Sequence, residues 1–278
     1  MSAPQQAAWL PPGPALLFCP ADRPERFAKA AARADVAILD LEDGCAPERR
    51  EQARKDLTKA GLDPERAIVR INPAGAPDHA ADLDAVAATA CSTVMLAKTE
   101  SAAQVESVGF NVLALVETPL GAVRATEIAQ AANCVGLMWG AEDLVAAMGG
   151  SSSRFADAGY RDVARHVRSS VILAAAAFGK FAVDAVHVDI ADHEGLRAEA
   201  ADAAALGLAA TACIHPSQVD IIRAAYAPTE EQVAWAKRVL EAAAGNAGAS
   251  QLDGRMVDAP LFRQAEAIMR RAGSAAVL

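Results

Sequence analysis

Ionisable residues recur in this chain at positions that suit an oxygen-rich cation site. Asp40-Leu41-Glu42-Asp43, Glu117 and Glu142-Asp143 each follow a short apolar run, and so do Arg70 and Lys98. Carboxylates dominate the set, and an ion left unpaired in apolar surroundings is strongly destabilising, so they need a counter-charge. A hard divalent cation answers that need. Glu117 and Asp143, completed by water and ligand oxygens, make a Mg²⁺ set, because Mg²⁺ takes one or two carboxylates and keeps part of its hydration shell. Zinc does not fit: His79, His166, His187, His193 and His215 are scattered, and no pair has zinc-ligand spacing. His187, inside an apolar run, reads as a core histidine.

Basic residues add a second kind of chemistry. Arg70 offers a planar fork for a carboxylate or a polarised carbonyl; its plainer reading is an ion-pair partner for Glu42 or Asp43. Arg23, Arg26 and Lys29 fall in one short segment, with Arg26 and Lys29 a helical turn apart. That spacing can grip phosphates or form a solvated helix face. Gly149-Gly150-Ser151-Ser152-Ser153-Arg154 has the composition of an anion-binding loop, one shared by many loops that bind nothing. Single acids at strand ends also serve as helix caps, the role expected of Asp82 and Glu230, and Glu142 opens a helix.

These residues must be positioned by regular elements. Apolar, β-branched runs occur at Ala15–Cys19, Val36–Leu41, Ala67–Ile71, Thr93–Ala97, Val112–Val116, Cys134–Trp139, Ala185–Ile190 and Ala209–Ile214. Between them lie alanine-rich stretches with helical spacing, from Glu25–Arg33 to Glu194–Ala205, and then Glu230–Ala244. Strands that are apolar throughout and alternate with helices predict a parallel sheet. Eight such units predict a closed (β/α)8 barrel of the TIM class over 15–245. A doubly wound open sheet is the competing arrangement, but the first turn reads Pro20-Ala21-Asp22-Arg23-Pro24 and lacks the glycines of a dinucleotide fold. In such a barrel the active site lies at the C-terminal strand ends. Those ends would be Asp40 to Asp43, Arg70 to Asn72, Lys98, Glu117, Glu142 with Asp143, Asp189 and His215. Residues 1–14 read as a disordered lead-in. The segment 246–278 reads as a linker and a helical extension, with its final helix at Leu261–Arg271 packing on a neighbouring subunit.

With 26 Lys and Arg against 35 Asp and Glu, the net charge is −9, which argues against nucleic acid and anionic membranes as partners. No apolar run reaches membrane-spanning length. The five cysteines form no C-x-x-C pair and fit reduced thiols in a cytoplasmic protein.

The runs FCPADRPERFAKAA, VAILDLEDG, VRIN, ALVET, WGAEDL and CIHPSQV, in that order, resemble the citrate lyase β-subunit family of the HpcH/HpaI aldolase group. The likeness extends from about Leu17 to Pro260 and is strongest to the stand-alone actinobacterial members. It implies a (β/α)8 barrel, commonly a homotrimer, that uses Mg²⁺ to cleave or form a C–C bond in 3-hydroxyacyl thioesters. The family's metal-binding Glu and Asp fall on Glu117 and Asp143, and its oxyacid-binding Arg falls on Arg70. The acids near the metal waters fall on Glu42 and Asp43. Coenzyme A phosphates are held near the segment that carries Arg23, Arg26 and Lys29. A C-terminal Asp in the MVD-x-P motif, which reaches a neighbouring active site, falls on Asp258. The chain departs from the family at Thr211-Ala212, where Gly-Lys is common, and at FCPADRP, where many members have F-V-P-G.

The expected activity is therefore cleavage of a 3-hydroxyacyl-CoA such as malyl-CoA or citramalyl-CoA, giving acetyl-CoA or a related acyl-CoA and a 2-oxoacid. Three alternatives stand beside it. They are thioester hydrolysis or a malate-synthase-like reaction at the same site, the β-subunit of a citrate lyase complex, and a non-catalytic binding subunit.

Overall fold

The structure is a computed structural model and describes residues 9–61, 63–244, 250–252 and 255–275. The chain divides into two compact units, 1–222 and 223–278.

In the first unit eight strands close a barrel in chain order: β1 (Ala15–Pro20), β2 (Val36–Asp40), β3 (Ala67–Ile71), β4 (Thr93–Leu96), β5 (Asn111–Val116), β6 (Cys134–Trp139), β7 (Phe181–Asp184) and β8 (Ala210–Cys213). Every pairing is parallel, and β1 closes on β8 with Leu16 opposite Ala212. The connecting helices are α1 (Phe27–Arg33), α2 (Arg50–Leu57), α3 (His79–Ala87), α4 (Ala102–Ser107), α5 (Pro119–Val123), α6 (Ala125–Gln130), α7 (Ala141–Ala147), α8 (Asp162–Ala177) and α9 (His193–Leu206). α10 (Gln218–Tyr226) follows β8.

Alternation along each strand builds the interior and the rim together. Leu16, Ile38, Ile68, Met95, Leu113, Leu115, Met138, Val183 and Ala212 belong to one buried apolar cluster. Two residues beyond Ile38, Ile68 and Leu115 come Asp40, Arg70 and Glu117, all at most 9% exposed. The same inward row that packs the barrel therefore turns polar at its C-terminal end. Trp9 joins the cluster, its ring 5.8 Å from that of Phe181, and its indole N–H donates to the Glu65 carbonyl at 3.3 Å. Gly136 makes room for Phe181, because a Cβ there would come within 2.4 Å of the ring.

Three expectations need correction. Residues 9–14 are ordered, since Trp9 is buried and the Pro14 carbonyl accepts from Thr211 N at 2.8 Å; residues 1–8 lie outside the described residues. The seventh strand is Phe181–Asp184, not Ala185–Ile190: the later run is irregular, with Val188 and Ile190 at 46% and 41% exposure. The barrel unit ends near 222, before the helix at 230–244.

That helix, α11 (Glu230–Ala244), belongs to the second unit with a two-stranded antiparallel pair, β9 (Ser250–Leu252) and β10 (Arg255–Val257), and α12 (Ala259–Ala275). Ala236 and Val239 of α11, Val257 of β10 and Ala265 of α12 form its core, flanked by Trp235, Leu261 and Phe262. The amphipathic face of α12 is thus met by α11 of its own chain. Residues 246–249 of the expected linker lie outside the described residues. Among the described residues no helix is long and apolar enough to cross a membrane.

Candidate active site

A cavity of about 370 Å³ opens at the C-terminal rim of the barrel. Phe18, Leu115, Met138 and Trp139 give it an apolar floor and wall, and Asp40, Asp43, Arg70, Glu117, Glu142 and Asp143 line its polar side. Asp40 receives Arg70 as a bidentate pair, Nε to Oδ1 and Nη2 to Oδ2 at 2.6 Å each. The same carboxylate accepts the backbone N–H groups of Glu42 at 3.0 Å and Gly44 at 2.8 Å, fixing the turn that presents Glu42 and Asp43. Arg70 Nη1 lies 3.2 Å from Glu42 Oε2. Asn72 reinforces the turn, donating from Nδ2 to the Leu41 carbonyl at 3.0 Å and to Asp82 at 2.7 Å.

On the opposite side Glu117 is 3% exposed, and its Oε1 accepts the Lys98 backbone N–H at 3.0 Å. Lys98 reaches that geometry with a φ of 49°, in the left-handed region that side chains seldom adopt. Gly140 lies against the other face of Glu117, where a Cβ would stand 2.9 Å from Oε2. The Lys98 ammonium donates to Glu42 and lies 3.4 Å from Asp43 and 3.5 Å from Asp143. Glu142, also on the lining, accepts from Ser153 Oγ at 2.6 Å.

The electrostatics follow from this crowding. Burial, and next the charge of Asp143, push the Glu117 carboxyl up to about 8, against the opposing pull of Lys98 and Arg70. Burial also raises Glu42, partly offset by Arg70 and Lys98. Burial works against the charge of Arg70, yet the hydrogen bonds and charge of Asp40, then Glu42 and Glu117, hold it above its ordinary value. A carboxylate so averse to ionising alone, beside a second one at an open rim, fits a hard cation. Among the described residues no three His, Cys, Asp or Glu side chains form a ready-made cage, so Glu117 and Asp143 would hold such an ion with water completing the shell. Among the described residues the cavity is lined by Asp and Glu oxygens and by no His or Cys, which suits Mg²⁺ and not zinc.

Of the residues singled out from sequence, Glu42, Asp43, Arg70, Glu117 and Asp143 converge here. Arg23 and Arg26 do not line the cavity. Both are exposed beyond β1 and only loosely paired, with Asp22 at 3.7 Å and Glu25 at 4.0 Å, and Lys29 is exposed on α1. Asp258 lies in the second unit, half-buried ahead of α12, its carbonyl accepting from Phe262 N at 3.0 Å. Asp189 caps the Ala191 N–H at 2.9 Å; the acid that ends β7 is Asp184, which is engaged by Trp139 Nε1 at 2.7 Å and by Arg168. Asp82 is not a cap but a fully buried acceptor for Asn72 and Arg54. The loop at 149–154 is no anion cradle: Arg154 is spent on Glu199 and on the Tyr160 ring, 3.7 Å away. His187 is buried and satisfied, with Glu199 at 2.8 Å and Asp192 at 3.2 Å. Sequence reasoning placed Asp40 and Lys98 at the expected rim but gave neither a role there, although period-two counting from Ile38 marks Asp40 as facing inward.

The HpcH/HpaI aldolase/citrate lyase family model matches residues 15–110 and 109–216, which together span the barrel. The chain belongs to this family. Among family proteins, a citrate lyase subunit beta-like protein of Mycobacterium tuberculosis is 61% identical over 264 residues, covering 95% of this chain and 97% of that protein. The mitochondrial citramalyl-CoA lyase of rat is 28% identical over 95% of this chain and 87% of its own length. The crystal structure of M. tuberculosis CitE in complex with magnesium, acetoacetate and coenzyme A superposes with a TM-score of 0.90 at 61% identity, covering 94% of this chain and 98% of that one.

Proposed function

We propose that the protein is a Mg²⁺-dependent carbon–carbon lyase acting on a 3-hydroxyacyl-CoA of the malyl- or citramalyl-CoA class. It releases acetyl-CoA or a related acyl-CoA and a 2-oxoacid, or runs in the condensing direction. The observation that carries this reading is the convergence of Glu117, Asp143 and Arg70 on one rim cavity. The magnesium and coenzyme A bound to the CitE relative, and the activity named for the citramalyl-CoA relative, support it.

Bound Mg²⁺ would supply Lewis acidity toward the carboxylate and hydroxyl oxygens of the substrate. Glu117 and Asp143 would hold it, and Glu42 and Asp43 would accept from its waters. Arg70, locked by Asp40 and unable to lose its proton, directs positive charge at the oxygen that becomes the new carbonyl. The hydroxyl proton passes through the rim water to solvent; as the carbonyl forms, the C–C bond breaks and its electron pair passes to the thioester side as an enolate. Asp258, contributed by a neighbouring subunit, returns a proton to that carbon; in reverse it removes one. Phe18, Leu115, Met138 and Trp139 keep water from the reacting carbon. Arg23, Arg26 and Lys29, exposed beyond β1, take the coenzyme A phosphates.

Homotrimeric assembly completes the reading. Exposed Leu120 and Val123 on α5, with Val163 and Leu173 on α8, are apolar side chains that association between copies would cover. A cytoplasmic setting agrees with five buried thiols.

The test is product analysis with malyl-, citramalyl- and methylmalyl-CoA stereoisomers in Mg²⁺. Acyl-CoA plus 2-oxoacid is expected; free CoA with an intact hydroxyacid would mean hydrolysis. Glu117→Ala should lower kcat/KM by about a hundredfold or more. Unchanged turnover by a folded variant would move the active site elsewhere.

A further inference from the structure

The rim holds a cation of its own. The Lys98 ammonium touches three carboxylates: it donates to Glu42, lies 3.4 Å from Asp43 Oδ2 and lies 3.5 Å from Asp143 Oδ1. Arg70, the other cation of this rim, is already engaged by Asp40 on two nitrogens and faces Glu42 on the third. Among the described residues, that leaves the Lys98 side chain as the base facing Asp43 and Asp143. The main chain of the same residue has a different task, donating to Glu117 Oε1 at 3.0 Å from a left-handed conformation.

We propose that the Lys98 ammonium is a resident counter-cation that competes with the divalent metal for Asp143 and Asp43, and so sets the metal affinity of the site. This rests on the reading of Glu117 and Asp143 as the metal pair. Like charges close to one another repel, and the interaction stays substantial near a protein surface. A metal that takes Asp143 must push the ammonium away, and the ammonium can retreat onto Glu42, with which it shares its shortest contact. The backbone N–H meanwhile keeps Glu117 oriented. The side chain holds the acidic rim together and weakens metal binding; the main chain preserves the geometry of the ligand. Lys98 is thus a positioning residue whose charge tunes affinity.

The test is calorimetric titration of the full-length protein with MgCl₂, together with thermal unfolding in EDTA. Lys98→Met removes the charge and keeps the backbone N–H. It should bind Mg²⁺ about tenfold tighter than the parent, because one repelling charge close to the ion is gone. In EDTA it should melt lower by about 3 °C or more, because the carboxylates have lost their partner. Lys98→Arg keeps the charge and should stay near the parental affinity. If Lys98→Met is insoluble, Lys98→Gln serves the same purpose. Unchanged or weaker Mg²⁺ binding by the neutral variants, with normal binding by the parent, overturns the competition and leaves the metal site standing. Equal tightening by Lys98→Arg overturns it too, since charge would not be the cause. If neither the parent nor any variant binds Mg²⁺, the metal reading falls and this proposal falls with it.

Discussion

Asp40 and Glu42 divide the Arg70 guanidinium between them, and that division decides what the residue can do. Two nitrogens are committed to Asp40 at 2.6 Å, so the fork cannot rotate, and Nη1 is presented beside Glu42 at 3.2 Å. Phe18 backs the group with its ring 4.8 Å away. A lysine at this position would be a point charge without the second arm. Arg70→Lys should therefore lower kcat by about a hundredfold while Mg²⁺ affinity, read by calorimetry, moves little. A variant with parental kcat would make the arginine purely structural. Arg70 was legible in the sequence because a basic side chain stands directly after the apolar run Ala67-Ile68-Val69. Asp40 was harder, since the last residue of a strand reads as part of the strand. The left-handed backbone of Lys98 was not legible at all: glycine signals such a conformation and lysine does not.

The connection between α7 and α8 is strapped to the barrel by polar and aromatic contacts. Arg154 pairs with Glu199 of α9, Ser153 donates to Glu142, and Tyr160 packs edge-on against Trp139 with ring centres 5.1 Å apart. His187 completes the strap from the β7–α9 connection, between Glu199 and Asp192, with the Arg154 charge opposing its protonation. Its hydrogen bond to Glu199, the largest influence, raises its pKa above the ordinary 6.5. A raised histidine pKa contributes stability that is fully present below the unfolded value and is lost as pH rises through the folded one. The melting-temperature gap between the parent and His187→Gln should thus be widest near pH 6 and shrink toward alkaline pH. A gap that does not change with pH would mean that His187 is neutral in the fold. The same connection explains why β7 was misplaced from sequence. Ala185–Ile190 alternates as a strand does, but the buried partner of its central residue is Glu199, and Val188 and Ile190 face solvent. The true strand, Phe181–Asp184, ends where Asp184 is captured by Trp139 and Arg168. Those contacts cross large distances in the chain, and local spacing carries no trace of them.

At the scale of the whole molecule, the barrel was readable because eight apolar runs with interposed helices admit few other closed solutions. The boundary at 222 was not, because α11 has the composition of a barrel helix and only its packing against α12 assigns it to the second unit. That assignment gives Asp258 a distinct status: it is carried by a unit that builds its own core, so its reach can be tested apart from the barrel chemistry. If Asp258 serves the site of a neighbouring copy, Glu117→Gln and Asp258→Asn are each inactive alone but complement each other when co-expressed. A site then needs an intact Glu117 from one chain and an intact Asp258 from the next, so random mixing in a closed ring restores about a quarter of the sites. If Asp258 serves its own chain, every chain in the mixture carries one lesion and no activity returns. Activity assays on the mixed oligomers, with mass spectrometry confirming that both chains are present, separate the two cases. Recovery near that fraction establishes a shared site; a mixed but inactive oligomer refutes sharing and leaves Asp258 acting within its own chain.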